Sequence, residues 1–172
     1  MNFLKLIAKI ITKFNEIVAK AASYLIFPII AVVCIEVFIR YVLKHPSPYS
    51  QDLIWMCYGT LIFLGGAYAL AEDVHVKADI FYNMMKRPLQ LLVNVVCYPL
   101  FFFTAMAAFL YSTRKLMMNA WIYAEISRVT SWGPPTAPVK TILFISFVML
   151  TLQGIVKFIQ MFKKQSEGGE AS

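Results

Sequence analysis

The sequence predicts an all-α membrane protein with four transmembrane helices, an N-terminal amphipathic helix in the membrane plane, and a short in-plane helix between spans 2 and 3. Two observations carry this. The stretches 21–39, 53–71, 89–111 and 137–156 hold no charged residue except Glu36 in the first and Lys140 in the fourth. At about 1.5 Å rise per residue, roughly 20 residues cross a hydrocarbon core of about 30 Å. The composition agrees, because 60% hydrophobic and 15% charged residues with a mean hydropathy of +0.68 is too apolar for a soluble domain, where about a quarter of residues are charged. The whole chain, 1–172, reads as one membrane domain.

Residues 1–20 form the first element. Lys5, Lys9, Lys13, Glu16 and Lys20 recur every three or four residues, with Leu4, Ile7, Ile11, Phe14 and Val18 on the other face, which describes a helix lying in the headgroups before span 1 turns inward. Span 1 runs at full length into Phe38-Ile39-Arg40-Tyr41 and shows no short apolar run with a small-x-small site, so it is expected to stay uncleaved. Span 2 follows Asp52 and holds Gly65-Gly66, a point for close helix packing. Between 72 and 88, Val76, Ile80, Phe81, Met84 and Met85 alternate with His75, Lys77, Asp79, Lys86 and Arg87, the pattern of the in-plane helix, and Pro88 opens span 3. Pro28 and Pro99 are expected to kink their spans, and Gln90, Asn94 and Gln153 to hydrogen-bond between helices. The third helix is expected to continue to about Ile126, after which Ser131-Trp132-Gly133-Pro134-Pro135 forces a turn into span 4. The polar tail, 163–172, is expected to be disordered.

Ten of the 16 lysines and arginines fall on the side shared by both termini and the middle loop, which places both termini in the cytoplasm. The net charge of +7 therefore flanks spans and faces anionic lipid; it is no nucleic-acid patch. Cys34, Cys57 and Cys97 sit one to a span without C-x-x-C spacing, which argues against a disulfide framework or a thiol-redox enzyme. The two histidines, His45 and His75, lie in loops on opposite sides and cannot ligate a haem between them. No P-loop, nucleophile-elbow or zincin motif occurs. No catalytic residue, metal site or cofactor is read from the chain.

Glu36 is one helical turn before Arg40, and Asp52 opens span 2 at a similar height. The three are read as a structural charge network closing the first hairpin, with an ion or proton site as the other reading. In the connection 112–136, Trp121 and Trp132 fit interface anchors, and Lys140 can snorkel to the same interface. A second reading makes Trp121, Glu125, Arg128, Trp132 and Lys140 a docking surface for a soluble protein, a mixture of aromatic and charged groups suited to a transient polar interface.

The ordered features resemble the small membrane subunit, of DctQ type, of tripartite ATP-independent periplasmic (TRAP) transporters. The matching pieces are Glu36-Val37-Phe38-Ile39-Arg40-Tyr41, Gly65-Gly66-Ala67-Tyr68-Ala69-Leu70 and His75-Val76-Lys77-Ala78-Asp79. To these add Trp121, Glu125, Ser127, Trp132-Gly133-Pro134-Pro135, Pro138, Lys140 and Leu152-Gln153-Gly154. Asp52 departs from a glutamate common in the family but keeps its charge. The resemblance implies a non-catalytic scaffold in the bacterial inner membrane. Its implied partners are a large multi-span subunit that moves an organic acid with sodium, and a periplasmic binding protein that delivers it. A small integral subunit of a respiratory or redox complex is the alternative, and a free-standing small exporter a third class.

Overall fold

A computed structural model describes residues 2–72 and 98–168. The in-plane helix expected between spans 2 and 3, Pro88, Gln90, Asn94 and the start of span 3 lie outside the described residues, as do the last four residues of the chain. Among the described residues the helices are α1 Asn2–Ser23, α2 Ile26–Tyr41, α3 Ser50–Ala71, α4 Tyr98–Ile122 and α5 Ala137–Gly168. Three segments there are long and apolar enough to cross a membrane: Leu6–Tyr41, Ser50–Ala71 and Ala137–Gln160.

The first of these segments is broken where Pro28 dictates. Proline has no N–H for the carbonyl four residues back, and its ring crowds that carbonyl. Here that carbonyl belongs to Tyr24, which instead accepts from Phe27 N–H at 3.3 Å while Leu25 N–H turns to Ala22 at 2.9 Å. The chain leaves α1 at Ser23 and restarts at Ile26. Proline thus acts here as a break between two helices, where the sequence predicted a kink within one.

Helices α3 and α5 form the centre. Helix α3 packs against α1, α2 and α5, and α5 packs against α3, α4 and α1. The buried apolar residues are mostly small: Ala22, Ala67, Ala120 and Ala137 stand beside Leu70, Met106, Met149 and Val156. Among the described residues the largest fully buried side chains are polar, Gln153 and Asn15. This inverts a soluble core, as expected where lipid is as apolar as leucine and small residues let backbones approach.

Helix α1 shows three faces where the sequence showed two. Asn15 and Ala22 are buried and Ala8, Ile11, Thr12, Val18 and Ala19 half-buried, a strip at helical spacing turned toward α3 and α5. Leu6, Ile10, Phe14 and Ile17 are exposed on a second strip, and Lys9, Lys13, Glu16 and Lys20 occupy the third. The N-terminal helix is thereby a packed member of the bundle, and only its second strip is free to meet lipid. Asn15 Nδ2 donates to Gln153 Oε1 at 2.8 Å, and Gln153 Nε2 donates to Thr12 Oγ1 at 3.3 Å. Of the three residues expected to hydrogen-bond between helices, Gln153 does so. Replacing Gln153 with alanine strands a buried amide on Asn15, which costs about 1–3 kcal/mol. The expected result is α1 released from α5, read as new protease access to α1 in an otherwise folded chain.

Side-chain contacts fix the level of each helix. The rings of Phe109 and Phe147 stack at 5.0 Å, those of Phe103 and Phe158 meet edge-on at 6.0 Å, and Trp121 Nε1 donates to Thr141 Oγ1 at 2.9 Å. Helix α4 therefore runs antiparallel to α5, with Trp121 level with Thr141. Phe63 meets Phe147 at 6.3 Å, and counting back six residues along these two parallel helices brings Cys57 level with Thr141, with Trp55 about 3 Å further toward the same end. Both tryptophans are more than 60% exposed, and so make a belt at the end of the bundle carrying the 123–136 segment, called here the loop end. Helix α4 stops at Ile122, short of the expected extension to about Ile126, because Ala124 takes φ +46° and Glu125 N–H closes back onto Ala120 O at 3.1 Å. At the other end α5 continues to Gly168, into the tail expected to be disordered.

Candidate functional site

The loop end collects the charged residues singled out from the sequence, but in two groups. Glu36, buried near the end of α2, takes Arg40 Nε at 3.0 Å and Nη2 at 2.7 Å on Oε1, and its Oε2 accepts Ser47 N–H at 3.3 Å. A charged side chain at the centre of a span costs about 2.5–3.5 kcal/mol on insertion scales. Glu36 reduces this by lying near a helix end, paired, with its second oxygen turned to the backbone of the following loop.

Asp52 is engaged elsewhere. The expectation of a single Glu36–Arg40–Asp52 network is corrected: Ser127 Oγ donates to Asp52 Oδ1 at 2.5 Å, and Thr130 Oγ1 donates to Oδ2. Asp52 is 3% exposed, so these two hydroxyls satisfy a buried carboxylate with one charge-assisted bond per oxygen. The carboxylate also sits in the first turn of α3, where exposed peptide N–H groups favour negative charge. The same hydroxyls order their own segment, since Ser127 Oγ accepts Val129 N–H and Thr130 Oγ1 accepts Trp132 N–H, each at 3.3 Å.

The segment 123–136 is closed on itself as well as pinned. Ser127 N–H bonds Pro134 O at 2.8 Å, and Thr136 bonds Glu125 O through its N–H at 2.9 Å and its hydroxyl at 3.1 Å. Gly133 makes the reversal possible with φ +57°, a backbone region that only glycine enters freely. Lys140, read from sequence as snorkelling, instead pairs with Glu125 at 2.5 Å. Together these bonds hold the segment to α3 through Asp52 and to α5 through Lys140.

Of the five residues read as a docking surface, the structure thus pairs Glu125 with Lys140 and ties Trp121 to Thr141. Arg128 is exposed and unpaired among the described residues, and Trp132 is about half exposed. Tyr123, Glu125, Ser127, Arg128 and Thr136 border an open cleft of about 580 Å³. Sequence reasoning missed Thr130 as a partner of Asp52. Its only signal is a hydroxyl three residues after Ser127, which gains meaning once a buried carboxylate stands opposite. Among the described residues no group of His, Cys, Asp and Glu is arranged to hold a metal. At Gly65-Gly66, read as a close-packing point, no atom of the described residues lies within 4 Å of a Cβ placed on either glycine.

No curated protein matches the chain. The family model described as tripartite ATP-independent periplasmic transporters, DctQ component, matches residues 29–164, from the first turn of α2 to the last turns of α5. A match of that extent includes both carboxylate clusters and the closed 123–136 segment, and the chain belongs to the DctQ family as a small membrane subunit of a TRAP transporter.

Proposed function

We propose that the chain is the non-catalytic scaffold of a sodium-coupled importer of organic acids, held in the bacterial inner membrane with four spans and both termini in the cytoplasm. Its partners are a large multi-span subunit, which binds substrate and sodium, and a periplasmic binding protein. The loop end then faces the periplasm, and the binding protein docks on Trp121, Glu125, Arg128, Trp132 and Lys140. The observation that supports this is the clamping of 123–136 to two helices, with Arg128 left exposed and unpaired among the described residues. A pre-ordered surface loses little entropy on docking, and a free cation at its rim raises the encounter rate of an acidic partner.

The test varies the binding protein. Arg128→Glu is expected to slow transport roughly tenfold at limiting binding protein, to recover at saturating concentrations, and to leave the membrane complex intact. If transport at every concentration matches that of the unmodified complex, Arg128 has no docking role.

A further inference from the structure

We propose that the outward face of α4 bearing Tyr111, Arg114 and Lys115 is the seam on which the large membrane subunit docks, meeting these cations with a carboxylate inside the membrane. The inference rests on the reading above that a large subunit is present, and identifies the face that subunit covers.

Trp121 donates across to Thr141 and Phe109 stacks on Phe147, so the stretch of α4 between them, which holds Arg114 and Lys115, lies alongside 141–147 of α5. Lys115 and Arg114 precede Trp121 by six and seven residues, so they lie about 9–10 Å inward of the tryptophan belt at about 1.5 Å per residue. Over the heights these contacts bracket, 57–63 of α3 and 141–147 of α5, both helices carry only uncharged residues. The sequence alone places the two cations outside the membrane, beyond a span ending at Tyr111, but the packing of α4 on α5 draws them in.

Neither cation has an escape. Both are exposed, and neither makes an ion pair or hydrogen bond among the described residues. Helical side chains lean toward the N-terminus of their helix. In α4 that direction leads away from the tryptophan belt, so snorkelling back to the nearer interface runs against the Cα–Cβ bond. Cations left facing acyl chains at this depth are unfavourable, and intramembrane charges are as a rule paired.

The rest of the face suits a protein neighbour. Leu100, Thr104, Ala108, Tyr111 and Lys115 follow one another at helical spacing, all exposed, with Tyr111 at 74%. Met106, Thr113 and Ala120 line the opposite, buried side. Thr104, Ala107 and Ala108 give a shallow region where a neighbouring helix can come close. The cations above it fix which helix that is, because a partner without an acidic group at that height leaves two charges unmatched.

The experiment places a photo-crosslinking amino acid at Tyr111 in the assembled complex in native membranes. The expected adduct joins this chain to the large subunit; an adduct with lipid alone, or with a second copy of this chain, overturns the proposal. In parallel, the double variant Arg114→Gln, Lys115→Gln is expected to reach the membrane at normal levels. It should recover large subunit at roughly one tenth or less of the normal yield, whereas Arg128→Glu recovers it fully. Normal recovery by the double variant also overturns the proposal. If the unmodified chain recovers no large subunit, the assembly reading itself fails. That result is distinct from an intact complex whose Tyr111 adduct lies elsewhere.

Discussion

Replacing Asp52 with alanine is expected to unpin segment 123–136 from α3 while α3 itself stays packed between α1, α2 and α5. Two charge-assisted bonds are lost together, from Ser127 Oγ and Thr130 Oγ1, at about 1.5–3 kcal/mol each. Local opening should rise by roughly two to four orders of magnitude, since about 1.4 kcal/mol corresponds to a factor of ten. The measurement is amide exchange across Ser127–Trp132, with proteolysis after Arg128 as a second readout. Ser127→Ala and Thr130→Val should each give part of the effect. Asp52→Asn should fall between, because an amide offers one acceptor oxygen where the carboxylate offers two. The bonds from Ser127 to Pro134 and from Thr136 to Glu125 remain in every variant, so the segment should detach as a closed loop. Exchange unchanged in Asp52→Ala would show that Lys140 and Glu125 suffice to hold it.

The second large effect is expected at Gly154, between α4 and α5. A Cβ added there runs into the ring of Phe102, and the neighbouring Gln153 and Val156 are buried, so the side chain has little room to turn aside. Gly154→Leu should cost about 3 kcal/mol through overpacking, seen as a lower midpoint of thermal unfolding in detergent and as loss of the Phe109–Phe147 stack. Gly65→Leu is the contrast, since among the described residues nothing lies within 4 Å of a Cβ at that position, and its midpoint should barely move. The cause is isolated by a double-mutant cycle: a smaller residue at Phe102 should remove most of the penalty of Gly154→Ala. A penalty that persists with Phe102→Leu would place the cost in the backbone of α5.

The two glycine sites show the boundary between what pattern determines and what packing decides. A Gly-Gly pair in a span is a fair sequence sign of close approach, yet among the described residues nothing approaches Gly65 or Gly66 while single Gly154 meets an aromatic ring. Sequence periodicity locates a helix face but not the neighbour that will meet it. Helix α1 makes the same point. Its charged strip was legible because lysines at spacing three and four admit one reading. Its apolar side was not divisible into a lipid strip and a bundle strip, since either is built of the same residues, and only the buried Asn15–Gln153 bond tells them apart.

The sequence by itself determined the solvent, the helical class and the family resemblance, because these depend on composition and on spacing along one chain. It paired Glu36 with Arg40 correctly, since residues four apart on a helix must be neighbours. The partners of Asp52 lie 75 and 78 residues away, and the depth of Arg114 and Lys115 depends on how α4 slides against α5. Those were decided only by the tertiary structure, because contacts between distant segments are set by helix register and ring packing, and no local pattern encodes either.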